Sequence, residues 1–490
     1  MTTTMSKVAE GKLFIGGTWR DAEDGGASPT INPADGSTIT SVANATERDL
    51  DAAVQAAREA FDNGPWPRMP AHERAKVLIR TARLIETHAE EIAYRETVDM
   101  GKPITFALHH DVPIAAQMYR YFAGLATQIE GSTRNTATPT FSYTLREPVG
   151  VVGAITPFTF PLLLSCSKIA PALAAGNTVV HKPAEPTPLS ALKMAELLAE
   201  AGLPDGVLNV VTGPGPELGA ALVAHPGVDK LTFTGSTAVG QSIVRSGADT
   251  VKKVTLELGG KSANIIFEDA YLDQAIEDAF WGCFFNSGQV CVAGSRLLVQ
   301  RAVYDEVVAG LVQRARNILP GDPLDPNTVL GPIGHRAQYD KVVDYVRIGR
   351  QDGAELLAGG EPYEVPGKPD GVYYRPTIFG NATNDMRIAR EEIFGPVLTV
   401  IPFDTEQEAI GIANDSPYGL ASGVHTRDVK RAHRTASALK AGTCWVNTYT
   451  QFDSAMPMGG YKSSGYGREL GPETMESYTQ TKSVWIDMRS

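Results

Sequence analysis

The chain reads as an α/β protein, with two sheet-and-helix domains and a small β appendage, on three observations. From Val149 onward short β-rich runs alternate with helical ones: 151 to 155, a helix through Ile169, 178 to 180, a helix from 188 to 201, 208 to 211, then 231 to 233. That is the pattern of a parallel sheet wrapped by helices. Beyond Gly260 a second alternation runs to about Ser463, with 269 to 280 helical and 296 to 299 extended. Third, 490 residues with 43% apolar and 20% charged side chains exceed what one hydrophobic core serves.

The elements follow in order. Up to about residue 45, short apolar pieces alternate with turn signals, such as Leu13-Phe14-Ile15 before Gly16-Gly17 and Ile31 before Asn32-Pro33, which predicts a hairpin-rich lead-in. Thr46 caps a helix whose Leu50, Ala53, Val54, Ala57 and Phe61 share a face, and Val77, Leu78, Ala82, Leu84, Ile85 and Ile92 form a second stripe. Pro188 and Gly202 frame the helix between them. Two alternating segments, 141 to 145 and 483 to 486, lie outside both domains, and their pairing would give an edge that recruits another subunit. No internal repeat or low-complexity tract is evident.

Composition narrows the function. A net charge of -12 without clustered Lys and Arg argues against a nucleic-acid or anionic-membrane surface. No run approaches the roughly 18 apolar residues of a membrane span, and no export signal is read, so a cytoplasmic address is expected. Four irregularly spaced cysteines suggest neither a disulfide framework nor a CxxC metal pair. Cys166, Cys283 and Cys444 are read as small buried hydrophobes.

Cys291 is read differently. It closes Gly288-Gln289-Val290-Cys291, and Glu257 opens Glu257-Leu258-Gly259-Gly260-Lys261, so a thiol and a carboxylate both occupy Gly-rich settings. Together they suggest covalent catalysis, because a thiol only a few per cent ionised at neutral pH needs a base or an electropositive pocket. After the strand-like Leu231-Thr232-Phe233 comes Thr234-Gly235-Ser236-Thr237-Ala238-Val239-Gly240. Such a turn brings backbone N–H groups and a helix start to a pyrophosphate, although a strand-to-helix turn needing Gly for geometry explains it equally well. Lys182-Pro183-Ala184-Glu185 follows another predicted strand, where open parallel sheets bind nucleotides. Glu185 would accept from ribose hydroxyls and repel a 2′-phosphate by on the order of 4 kcal/mol per charge pair at contact distance, which favours NAD over NADP. A surface ion pair is the alternative for Lys182 and Glu185.

Lys182-Pro183-Ala184-Glu185, Phe233-Thr234-Gly235-Ser236, Glu257-Leu258-Gly259-Gly260-Lys261, Gly288-Gln289-Val290-Cys291 and Glu391-Glu392-Ile393-Phe394-Gly395-Pro396, in that order, resemble the NAD(P)-dependent aldehyde dehydrogenase superfamily, of the hydrolytic, non-acylating type, over essentially the whole chain. The resemblance implies a Rossmann-type NAD-binding domain at 1–127 and 149–259, a catalytic domain at 260–463, and oligomerisation segments at 128–148 and 470–490, with a homodimer or homotetramer as the assembly. It implies oxidation of an aldehyde to the acid through a Cys291 thiohemiacetal and thioester, hydrolysed with Glu257 as general base. By the same resemblance Ile155, Thr156, Pro157, Phe158, Lys182, Glu185, Gly215, Phe233, Gly235, Ser236, Val239, Glu257, Leu258 and Gly259 hold NAD. Gln338, Lys341 and Glu392 hold its nicotinamide-side ribose, and Phe394 lies beside the ring. Lys168 and Glu469 form a buried pair that assists proton exit, and Asn447 is structural. No metal is implied. Taken singly, Phe394 also reads as a core aromatic, and Gln338 and Lys341 as a solvated helix face.

One position departs from the family. Thr159 stands where an Asn amide usually helps form the oxyanion hole, and losing such a donor costs roughly 2.7 to 4 kcal/mol in the barrier. Its shorter hydroxyl reaches the oxygen directly or through water, or the Cys291 N–H carries the load, or turnover is slow. The implied substrate pocket, Phe160, Leu164, Ser167, Phe285, Val290, Val292, Phe452 and Met458, is mostly apolar, with Ser167 in place of a bulky aromatic. It lacks a cationic cluster for carboxylates or phosphates, and its aromatic box is incomplete for a trimethylammonium group. Uncharged aliphatic, terpenoid or aromatic aldehydes are therefore expected. The rival readings are a CoA-acylating relative and a catalytically silent NAD-binding protein.

Overall fold

The structure, a computed structural model, describes residues 8–489. Its largest sheet has eight strands in the order Gly465–Tyr466, Lys253–Glu257, Lys230–Thr234, Val151–Ile155, Thr178–Lys182, Leu208–Val210, Leu13–Ile15 and Thr18–Arg20. The five central strands run parallel, and antiparallel pieces close both edges. From Val151–Ile155 the chain steps outward to Thr178–Lys182 and Leu208–Val210, then returns to the other side at Lys230–Thr234. Such a reversal opens a crevice outside the carboxyl ends of the strands. Helices cover both faces, which is why strands such as Thr178–Lys182 and Lys230–Thr234 are buried at every position.

The second sheet has seven strands, Glu355–Ala358, Thr377–Gly380, Val397–Phe403, Arg296–Gln300, Ala263–Ile266, Ala421–His425 and Thr443–Val446, parallel except for the outermost pair. The helix expected over 269–280 is Leu272–Phe284. Its start is displaced because the Asp269 carboxylate accepts from the Thr426 hydroxyl and the Arg431 guanidinium, which holds Asp269 in the preceding turn. Its end extends to Phe284 and delivers the chain to the loop that carries Cys291.

The lead-in forms two antiparallel hairpins, Leu13–Ile15 with Thr18–Arg20 and Ala27–Ile31 with Thr38–Ala43. Helix Glu47–Asp62 begins with a reciprocal cap: the Thr46 hydroxyl accepts from the Asp49 N–H, and the Asp49 carboxylate accepts from the Thr46 N–H. The segments at 141–145 and 483–486 belong to strands Thr140–Pro148 and Thr479–Asp487, which pair antiparallel with Phe141 opposite Ile486. Helix Ala89–Met100 does a positioning job for two others. Its buried Glu96 and Asp99 accept from the N–H groups of Leu162 and Leu189, holding the first turns of helices Pro161–Ala174 and Leu189–Glu200. Among the described residues no helix is long and apolar enough to cross a membrane.

Candidate active site

A cavity of about 1210 Å³ occupies the crevice of the eight-stranded sheet. Ile155, Thr156, Pro157 and Phe158 line it from the end of one strand, Lys182 and Glu185 from the next, Gly215 from the third, and Phe233, Gly235 and Val239 from the fourth. Ser236 caps helix Thr237–Gly247, so free N–H groups of a full-length helix face this end of the sheet. The close approach needs glycine at position 235, where a Cβ would strike the Phe233 ring. Burial lowers Lys182 to about 8 against the pull of Glu185, which keeps a compact cation at the cavity wall. Room, backbone donors, a cation and one carboxylate fit a dinucleotide.

Cys291 follows a loop bent by three successive left-handed residues, Asn286 (φ 50), Ser287 (φ 54) and Gly288 (φ 73). Two non-glycine residues there cost on the order of 1–3 kcal/mol each. The loop is held by buried hydrogen bonds: Gln289 donates from Nε2 to the Asn286 carbonyl and accepts on Oε1 from the Gly334 N–H, while the Ser287 hydroxyl donates to the Gly331 carbonyl. A Cβ on Gly288 would collide with the Gly395 carbonyl, so the Gly288-Gln289-Val290-Cys291 segment seats directly on the Phe394-Gly395-Pro396 turn. Gly260 has the same function on the other side, since a Cβ there would come within 2.8 Å of the Cys291 carbonyl oxygen. Around the thiol, Val290, Val292, Leu420, Trp445 and Met458 form a small apolar cluster. Burial, with the nearby carboxylates of Glu257 and Glu392, pushes the Cys291 thiol up to about 12, while its own N–H and that of Val292 oppose the shift.

The two carboxylates near the thiol differ. Glu392 accepts from the Gly260 N–H at 3.0 Å, and its packing leaves no space for a side chain at Gly259. Glu257 is buried, and neither of its oxygens has a hydrogen-bond partner among the described residues. Burial and then the charge of Glu469 hold its carboxyl well above the usual range, against the opposing charges of Lys168 and Arg468. Gly459, next to Met458 of the thiol cluster, lies so close that a Cβ would stand 2.8 Å from Glu257 Oε1. The carboxylate and the sulfur therefore meet at Met458-Gly459. Behind them Lys168 pairs with Glu469 and donates to the Thr234 hydroxyl at 2.7 Å, all of it buried.

Other expected residues are distributed as follows. Gln338 donates from its amide to the carbonyls of Ile393 (2.9 Å) and Phe394 (2.8 Å), which places it behind the Phe394 turn. Lys341 is half-buried, and desolvation lowers it against the pull of Glu392 and Glu391. Phe394 adopts φ 63 and meets Phe158 edge-on at 5.9 Å. Leu258 is buried, and a Cβ on Gly240 would strike it. Thr159 is buried between Phe158 and the left-handed Phe160, which stacks on Phe285 at 6.1 Å. Leu164 is half-buried one turn further on. Ser167, expected in the substrate pocket, donates its hydroxyl to Glu469 Oε2 at 2.9 Å. Phe452 remains 40% exposed. Asn447 exchanges two hydrogen bonds with the Thr426 backbone, a structural task.

Several participants were not anticipated. The cavity is also walled by Pro29 to Pro33 of the second hairpin and by His335, Arg336, Asp370 and Val372 of the seven-stranded half. Phe106 and His110 pack on Phe285, and the buried Lys102, paired with Asp111, sits 3.9 Å from the Phe160 ring. These meet only through distant chain crossings, which no local pattern encodes. The Asn-Ser-Gly run at 286–288 was the one available signal, since those residue types tolerate left-handed backbone.

A cavity at the switch point of the sheet, with a half-buried thiol and a carboxylate that has no partner among the described residues, suits a nucleotide-dependent α/β enzyme. The family model described as "Aldehyde dehydrogenase family" matches residues 19–484. Aldehyde dehydrogenase family 2 member C4 of Arabidopsis thaliana is 46% identical over 491 residues, covering 100% of this chain and 97% of its own. The mitochondrial benzaldehyde dehydrogenase of Antirrhinum majus is 47% identical over 474 residues, covering 96% of this chain and 88% of its own. The NAD+ complex of an aldehyde dehydrogenase from Bacillus cereus superposes with a TM-score of 0.96 at 48% identity, covering 98% of this chain and 97% of that one. The chain belongs to the aldehyde dehydrogenase family. It is an NAD-binding oxidoreductase that acts on aldehydes.

Proposed function

We propose that the protein oxidises uncharged aldehydes to carboxylic acids by covalent catalysis at Cys291, with Glu257 as the base. The observation that carries this reading is Glu257: a buried carboxyl near a thiol, with no partner on either oxygen among the described residues, whose burial makes it a stronger base than an ordinary carboxylate. Glu257 takes the Cys291 proton, and the thiolate adds to the aldehyde carbon to give a thiohemiacetal. The Cys291 N–H, with the Thr159 hydroxyl, is the donor set for the developing oxyanion. NAD, when bound, would supply the hydride acceptor for oxidation of the thiohemiacetal to the thioester. Lys182, Glu185, Gly215, Gly235 and Ser236 would hold its adenosine and phosphate portion, and Glu392, Lys341 and the Phe394 turn would hold its nicotinamide side. Glu257 then deprotonates a water, which attacks the thioester and returns the thiolate. Replacing Glu257 with Gln should lower turnover by roughly 10²- to 10⁴-fold with NAD binding retained, because the thiol and the water lose their base together. Unslowed turnover would remove Glu257 from the mechanism.

The apolar cluster at the thiol and the Phe160–Phe285 stack support aliphatic, terpenoid or aromatic substrates. Lys102 is not free to hold a carboxylate, because Asp111 and Glu96 enclose it. A relative named for benzaldehyde agrees with that reading. Octanal or benzaldehyde should show a higher kcat/KM than succinate semialdehyde; the reverse order would overturn the substrate assignment. The exposed apolar side chains Phe141, Leu145, Trp485 and Ile486 on the three-stranded sheet support an assembly contact, with 128–148 and 470–490 as the segments that make it. The two large sheets support the division into an NAD-binding domain over 1–127 and 149–259 and a catalytic domain over 260–463. Four unpaired cysteines fit a reducing, cytoplasmic setting.

A further inference from the structure

Strand Lys230–Thr234 alternates its side chains, so Lys230, Thr232 and Thr234 share one face. In the parallel register Thr232 stands beside Thr255 and Thr234 beside Glu257, so these neighbours face the same way. On that face Lys168 donates to Thr234, and the Thr232 hydroxyl donates to Glu469 Oε1 at 3.4 Å. Lys230 stands at the far end of the file. It is 1% exposed, donates to the Thr255 hydroxyl at 2.7 Å, and lies 5.0 Å over the ring of Tyr478. The exposed Gly467 covers Thr255: a Cβ there would meet Thr255 Cγ2 at 2.8 Å and Oγ1 at 3.2 Å. Among the described residues this buried amine has one hydroxyl partner and no counter-ion in contact. No part of the mechanism above uses it.

We propose that Lys230 is the outer carrier of a proton exit file that runs from Glu257 past Glu469, Lys168, Thr234 and Thr232 and reaches solvent at Thr255 beside Gly467. The inference rests on the reading of Glu257 as the base. Aldehyde, NAD+ and water become carboxylate, NADH and two protons, and Glu257 must lose each proton it takes before it can act again. Along the file only O–H and N–H bonds break and form: Lys230 as the free amine accepts a proton from the interior side, and as the ammonium it returns that proton to solvent. Burial lowers Lys230 to about 7, which makes both forms accessible at neutral pH; Glu469 opposes the shift, and Lys168 and Lys253 add to it.

The test uses full-length enzyme with octanal and NAD. Lys230→Met keeps the stem and removes the carrier. It should lower kcat on the order of tenfold with the KM for NAD unchanged, and acyl-enzyme should accumulate on Cys291 in the steady state. Lys230→Ala should lose as much and recover when n-propylamine is added, with a rate that follows the free amine, a response that a merely structural lysine would not give. Parental turnover in a Lys230→Met enzyme that binds NAD overturns the proposal, as does failure of the amine to restore Lys230→Ala. If the lysine variants do not bind NAD, Thr255→Val is read with the same outcomes: a slowed kcat with acyl-enzyme supports the file, and an unchanged kcat removes it. Glu257→Gln separates the two readings. If it loses turnover while Lys230→Met does not, the base stands and the exit file falls.

Discussion

The dinucleotide end of the site and the thiol end achieve their tasks by different means. The cavity outside the eight-stranded sheet is wide and lined by strand ends, short loops and one helix start, so its recognition rests on space and backbone donors. The loop bearing Cys291 has no such room: it is bent through left-handed backbone, fixed by Gln289, and pressed on both sides by residues that glycine alone permits. The contrast teaches that a wide cavity tolerates approximate surroundings, whereas the Cys291 sulfur is placed by backbone conformation and packing maintained elsewhere in the fold.

Three substitutions test that contrast, in falling order of effect. Cys291→Ala removes the nucleophile and should cut aldehyde-dependent NADH formation by about 10⁴-fold or more while NAD still binds, as measured by quenching of tryptophan fluorescence. Undiminished reduction would end the covalent reading. Gly288→Ala introduces a Cβ at φ 73 against the Gly395 carbonyl and should both slow turnover and lower the melting temperature, with a stability loss of about 1–3 kcal/mol. An enzyme with parental rate and melting temperature would show that the loop is not constrained as described. Glu185→Ser changes only the wide end and should weaken NAD by about tenfold while narrowing the margin over NADP, because one carboxylate acceptor and one repulsive charge disappear together. An unchanged NADP to NAD ratio of kcat/KM would move cofactor selection to other residues.

Much of the wide end was legible in the sequence because strand-to-helix turns carry local signatures. Lys182, Glu185, Gly235 and Val239 each follow a predicted strand, and the structure places them around one cavity. The hairpin wall at Pro29 to Pro33 and the opposing Asp370 and Val372 were not legible, since they meet across most of the chain length. At the thiol end the motifs were visible but their purpose was not: Gly259, Gly260 and Gly288 are determined by what presses on them, Glu392, the Cys291 carbonyl and Gly395. Ser167 shows the limit most clearly. Its hydroxyl donates to Glu469, a partner 302 positions away that no local pattern announces.

Gln289 has a consequence that reaches beyond its own loop. One hand of its amide grips the turn that sets the sulfur, and the other grips Gly334, which lines the coenzyme chamber. A single side chain thereby couples that wall to the backbone that positions Cys291.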